Sequence, residues 1–272
     1  MRVSRRATLS LRTVAVGYLV VLLLVPLGLV FYRTFEHGFG YAWSWMTTPA
    51  AISALWLTLV IAAIAVPLNT IFGIICSYVL VRGRVRGRAI LDSLIDLPFV
   101  VSPVIVGLAL ILVYGEGGWF GNWFISHGIP IIYAPAGMVI ATVFVSLPFV
   151  VREVAPVLRA AGEEQEEAAA TLGASSWQTF RRVTLPSIRW GVAYGVVLTS
   201  ARALGEIGAV LVVSSNVAGS TLTLPLLVYQ RDSQIGPAAS SGAYAAAMEL
   251  IVISLLVLVG MMLLGKRREE VR

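Results

Sequence analysis

The sequence is poor in the residues that carry chemistry. Its single cysteine, Cys76, lies inside an apolar run, which leaves no disulfide framework and no cysteine metal site. The only histidines, His37 and His127, fall in different loops, so a zinc site is not expected. Charge is scarce as well. Asp, Glu, Lys and Arg make up 12% of 272 residues, against about a quarter in soluble domains. That scarcity argues against a soluble enzyme, and no catalytic constellation is present.

What the chain has instead is apolar length. It is 58% hydrophobic with a mean hydropathy of +0.88. Runs able to cross about 30 Å of hydrocarbon fall at roughly 13–32, 52–81, 93–114, 132–152, 190–213 and 243–264. They are too long for barrel strands, and an open sheet edge is not tolerated in lipid, so they read as helices. The fold class expected is all-α integral membrane, with six transmembrane helices in one domain over 13–265. Short tails, 1–12 and 266–272, flank it. The N-terminal run is a full bilayer length with no small-residue cleavage pattern behind it, so it reads as a retained first span rather than a signal peptide.

The basic residues set the orientation. All but three of the twenty lie before span 1, between spans 2 and 3, between spans 4 and 5, or after span 6. The exceptions are Arg33 and Arg231 on the other side, and Arg202 inside span 5. By the positive-inside rule both termini are cytoplasmic. The net charge of +6 is therefore a topology signal and calls for no nucleic acid. Trp43, Trp45, Trp119 and Trp123 collect in the outer loops, where indole rings anchor at headgroups.

The cytoplasmic segment of about 160–187 is the longest polar passage. Glu163, Glu164, Glu166 and Glu167 precede three alanines, which predicts a helix with acids complementing its N-terminal dipole. Gly173 is placed to end it in a left-handed cap. Ser175 or Ser176 can cap a second short helix, whose Trp177, Phe180 and Val183 recur every three positions, as on a membrane surface. Pro186 then starts span 5 where its missing N–H costs nothing. From composition alone this elbow is either a solvated loop or a docking device. The stretch "GMMLLGKR" (260–267) nearly spells a P-loop, but it ends a membrane helix and lacks the Ser/Thr that would hold magnesium.

Glu167-Ala168-Ala169, three residues, Gly173, nine residues, then Val183-x-Leu185-Pro186 resembles the EAA signature of ABC importer permeases, with valine replacing isoleucine. "PLNTIFG", "SPVIVG", "GWFG" and "ARALGEIGAV" resemble the sulfate/thiosulfate permeases, nearer their W-type than their T-type subunit. The departures are Ile207 for a usual phenylalanine, Ser215 where "VVSGN" is usual, and a poor match over Arg231–Gly242. The resemblance implies a type I importer permease whose elbow, through Glu167, Ala168, Ala169, Gly173, Val183, Leu185 and Pro186, docks in a cytoplasmic ATPase. It implies as partners a homologous T-type permease, two copies of that ATPase, and an extracytoplasmic sulfate-binding protein. ATP and magnesium would be used by the ATPase, with no cofactor bound here. A molybdate or tungstate permease, and a self-sufficient channel or secondary transporter, are the rival readings.

Charges inside a span are functional candidates by default. Arg202 and Glu206, four apart on one helical face, are either a self-neutralising pair or part of a route for an oxyanion, to which a guanidinium offers a planar fork. Ser214 is the third candidate for that pathway. Glu249 and Asp96 are softer candidates, and Gly191-x3-Gly195 predicts close helix packing.

Overall fold

The computed structural model describes residues 5–83, 86–234 and 236–267. The expected tails, 1–12 and 266–272, reach into residues outside these ranges, as does Arg84. No strand occurs among the described residues. The first span, Arg12–Phe35, joins α1 (Arg5–Leu19) to α2 (Val25–Phe35) through a π-helical turn at Val20–Leu24. That wide turn lies beside Pro26, whose ring cannot fit a regular helix interior. Thr34 donates from Oγ1 to Tyr244 O at 3.1 Å and so ties the end of this span to the last helix.

After α3 (Phe39–Met46), α4 (Pro49–Arg82) starts under a Thr48 cap, whose Oγ1 accepts from Ala51 N–H at 3.3 Å. The expected span 93–114 is two helices, α5 (Arg88–Val100) and α6 (Pro103–Tyr114), bent by 110°. Pro103 is the cause. It pushes the residue before it out of helical space, and Ser102 sits at φ −58°, ψ 134°. Short α7 (Gly121–Ser126) leads to α8 (Pro135–Ala161), the central helix, which packs against α4 and α5 and against two later helices, α12 (Arg189–Leu204) and α13 (Gly208–Val213). These last two replace the single span expected over 190–213: the helix stops after 16 residues and restarts beyond Glu206. The chain closes with α14 (Leu224–Asp232) and α15 (Pro237–Arg267). The near P-loop at 260–267 is therefore helix. Among the described residues, four helices are long and apolar enough to cross a membrane, or five with the bent pair counted as one span. Hydropathy detects apolar length but is blind to a break inside it.

The core forms where small residues let α4 and α12 close on α8. Val150 is fully buried between two glycines. A Cβ on Gly73 would stand 2.5 Å from Val150 Cβ, and one on Gly195 would stand 2.9 Å from Val150 Cα. A Cβ on Gly191 would meet Glu153 O at 2.8 Å, so the Gly191-x3-Gly195 pattern is a packing seam against α8. Asn69 adds a polar stitch, donating from Nδ2 to Ser146 Oγ at 2.8 Å and Val143 O at 3.1 Å.

Gly195→Ala should therefore lower stability by about 1–3 kcal/mol, because the obstructing atom is backbone and cannot rotate away. Gly28→Ala, inside α2 where a Cβ meets nothing within 4 Å, should leave stability unchanged or raise it by up to about 1 kcal/mol. Thermal unfolding of the two detergent-solubilised variants checks this contrast.

Candidate functional site

The elbow is built by three local devices that the residues themselves supply. α9 (Glu164–Thr171) begins with Glu164, Glu166 and Glu167 in its first turn, near the positive end of its dipole. It ends on Gly173 at φ +84°. There Ala174 N–H donates to Ala169 O and Gly173 N–H to Ala170 O, each at 3.0 Å. These two bonds satisfy carbonyls that a helix end leaves open. Ser175 then caps α10 (Ser176–Thr179) in a reciprocal box with Gln178. A π-helical turn at Phe180–Thr184 and α11 (Leu185–Ser187) lead into α12. The Phe180 ring meets Trp177 at 5.7 Å and Tyr78 of α4 edge-on at 6.1 Å.

One buried guanidinium ties this elbow to the helices. Arg82, the last residue of α4, donates to Leu158 O at 3.2 Å and to Gly162 O, both at the end of α8. Its Nε donates to Glu166 Oε2 at 3.1 Å. The other carboxylate oxygen of Glu166 accepts from Thr184 Oγ1 at 2.8 Å, just before α12. Thr184 is buried. Three helix ends and α9 thus meet on one arginine and one glutamate.

The seven residues singled out in the elbow divide accordingly. Val183, Leu185 and Pro186 are half-buried, and Leu185 packs with Leu158 and Ile188. Ala169 is half-buried, whereas Glu167, Ala168 and Gly173 face outward. Leu172 at 88% and Trp177 at 67% exposure extend that outward face. The sequence reading missed Glu166 and Arg82. Arg82 had counted only as one more positive charge in a loop, and nothing in its spacing announces a partner 84 positions away.

The second group of candidates lies where α12 breaks. Arg202 Nη2 stands 2.8 Å from Glu206 Oε2, an ion contact without a well-aligned hydrogen bond. The arginine side chain is 32% exposed and the glutamate 2%. Glu206 Oε1 accepts from Ala209 N–H at 2.8 Å and so restarts the chain as α13. Beside it lies a small pocket lined by Thr58, Thr142 and Thr223. Ser214 stands apart from this pair: its hydroxyl donates to Thr221 O and accepts from Asn216 N–H within its own loop.

The softer candidates lie near arginines of other helices. Asp96 and Asp92 of α5 clamp Arg152 of α8, with Arg152 Nε donating to Asp96 Oδ1 at 2.7 Å. Glu249 keeps one buried, unbonded oxygen. Arg231, expected in an outer loop, is buried on α14. It donates to Gly242 O and Thr48 Oγ1, each at 3.0 Å, and lies over the Trp45 ring at 5.1 Å. Burial lowers its pKa, and Glu249 counters that effect.

Residues 69–270 match the family described as "Binding-protein-dependent transport system inner membrane component". The chain is 52% identical to the "Sulfate transport system permease protein CysW" of Synechocystis sp., over 89% of this chain and 87% of the relative. Its identity to the protein of that name in Escherichia coli is 44%, over 90% and 84%. Among solved structures, a chain of a bacterial alginate ABC transporter, in complex with an alginate pentasaccharide-bound periplasmic protein, superposes with a TM-score of 0.78. The two are 17% identical over 96% of this chain and 94% of the other, so the likeness is one of fold.

Arg82→Ala should cost about 2–4 kcal/mol, since it takes the charge partner from the largely covered Glu166 carboxylate. It should also free the elbow for tryptic cleavage at Arg181 and Arg182. The double variant Arg82→Ala/Glu166→Ala should recover about 1–3 kcal/mol of that loss. Unfolding midpoints and limited proteolysis read the two effects separately.

Proposed function

The chain belongs to the binding-protein-dependent transport system inner membrane component family, and from that premise we propose that it is the transmembrane permease subunit of an ATP-driven importer for sulfate and thiosulfate. The relatives named above support sulfate and do not favour the molybdate or tungstate alternative. A self-sufficient channel or secondary transporter would have no use for the elbow. The observation that carries the reading is the elbow's division of labour. Glu166, Thr184 and Leu185 fasten it to the helix ends, while Glu167, Ala168, Leu172, Gly173 and Trp177 are left exposed. That is the form of a docking face held on a rigid frame.

The occupant of that face is one of the complex's two copies of a cytoplasmic ATPase, which uses ATP and magnesium in its own site. A homologous T-type permease completes the membrane domain. An extracytoplasmic binding protein delivers the anion. Closure of the ATPases pushes the elbow, and the Arg82 node passes that push to α4, α8 and α12 together. The chain sits in a bacterial plasma membrane with both termini on the cytoplasmic side.

Gly173→Asp tests the docking role. Gly173 holds φ +84° with nothing within 4 Å of a Cβ, so the variant adds only local backbone strain, about 1 kcal/mol. Normal abundance with sulfate uptake reduced at least tenfold is expected. Normal uptake would remove the docking assignment. Orientation has its own check: an impermeant thiol reagent should reach cysteines placed at Ser126 and Ser220 from outside, and never one at Ser175.

A further inference from the structure

Arg202 and Glu206 do not form the pair that a purely structural role would produce. Two charges retained only to neutralise each other are best buried together and fully bonded. Here the carboxylate is buried and held independently of the arginine, by Ala209 N–H. The guanidinium is one-third open and makes no hydrogen bond to any described residue. Its contact to Glu206 is short but misaligned. An open guanidinium within a span costs about 2.5–3.5 kcal/mol unless it meets water or a partner.

The surroundings of Glu206 explain how its charge can be tolerated alone. The pocket beside it presents the hydroxyls of Thr58, Thr142 and Thr223 and has room for about one water. Thr58 and Thr142 are committed to carbonyls of their own helices. Thr223 Oγ1 is buried and has no hydrogen-bond partner among the described residues. A hydroxyl in that position can donate to a water that in turn donates to the carboxylate. Gly208 and Pro103 meet beside Glu206, since a Cβ on Gly208 would stand 2.8 Å from Pro103 Cβ and 3.7 Å from Glu206 Oε1. The break in α12 and the bend between α5 and α6 thus meet beside one carboxylate.

Resting on the importer reading, we infer that Arg202 and Glu206 are an exchangeable anion site. Arg202 leaves Glu206 to hold the passing tetrahedral dianion with its planar fork. The Thr223 hydroxyl and a pocket water meanwhile hold the Glu206 charge. Glu206 then reclaims Arg202 and expels the anion. The competing carboxylate keeps the site weak, which transport requires, because an anion bound tightly in the route would stop turnover.

The test uses the assembled complex in vesicles with radiolabelled sulfate, its binding protein and ATP, and reads both the uptake rate and the sulfate retained on the transporter. Glu206→Gln keeps an acceptor for Ala209 N–H but removes the competitor. Uptake should fall several-fold while retained sulfate rises several-fold. Thr223→Val should lower uptake several-fold at normal abundance, and Arg202→Ala/Glu206→Ala should keep normal abundance and lose uptake. Recovery of uptake in that double variant, or unchanged retention in Glu206→Gln, overturns the site while leaving the importer reading intact. A wild-type complex that moves no sulfate overturns both.

Discussion

A guanidinium buried at the end of a membrane helix must find acceptors or be expelled to water, and Arg82 finds them on three sides. Its bonds to Leu158 O, Gly162 O and Glu166 fix where α4 ends, where α8 ends and how α9 leaves them. Glu166 passes the constraint on to Thr184 and so to the approach of α12. Without that node the elbow would be a capped but independent loop. With it, a force applied to the outward face reaches three helices whose glycines already lock them around Val150.

The same chain spends its regular helices on packing and its irregular ones on charge. α8 is continuous and central. The two interruptions, at Ser102–Pro103 and around Gly205, come together beside Glu206. Irregular backbone at membrane depth is tolerated only where protein or a water-lined space satisfies it. Glu206 does part of that work by bonding Ala209 N–H. A carboxylate that both restarts a helix and faces an arginine links local backbone structure to a charge inside a span.

Much of this was legible in the sequence. The all-α membrane class follows from hydropathy, the elbow's caps from Gly173 and Ser175, and the packing seam from Gly191 and Gly195, because each rests on local rules. The relatives support the permease reading that the elbow's spacing first raised. The helix breaks were not legible, since "VVSPVIVG" and "RALGEIGAV" keep enough apolar length to read as single spans. Arg231 was placed in a loop because a lone arginine in a poorly matching stretch gives no sign of Thr48 or Trp45, which lie far away in sequence. Long-range polar partners of this kind carry no periodicity to detect.

The central claim is that the outward face of the elbow is occupied by an ATP-hydrolysing subunit. Its most direct measurement is the intact mass, by native mass spectrometry, of the complex purified from its native membrane in mild detergent through a tag on this chain. The account predicts an assembly holding this permease, one homologous permease and two copies of an ATP-binding subunit, which separates when the outward face is altered at Leu172→Asp. Recovery of this chain alone under conditions that preserve sulfate uptake, or in an assembly with no ATP-binding subunit, would contradict it.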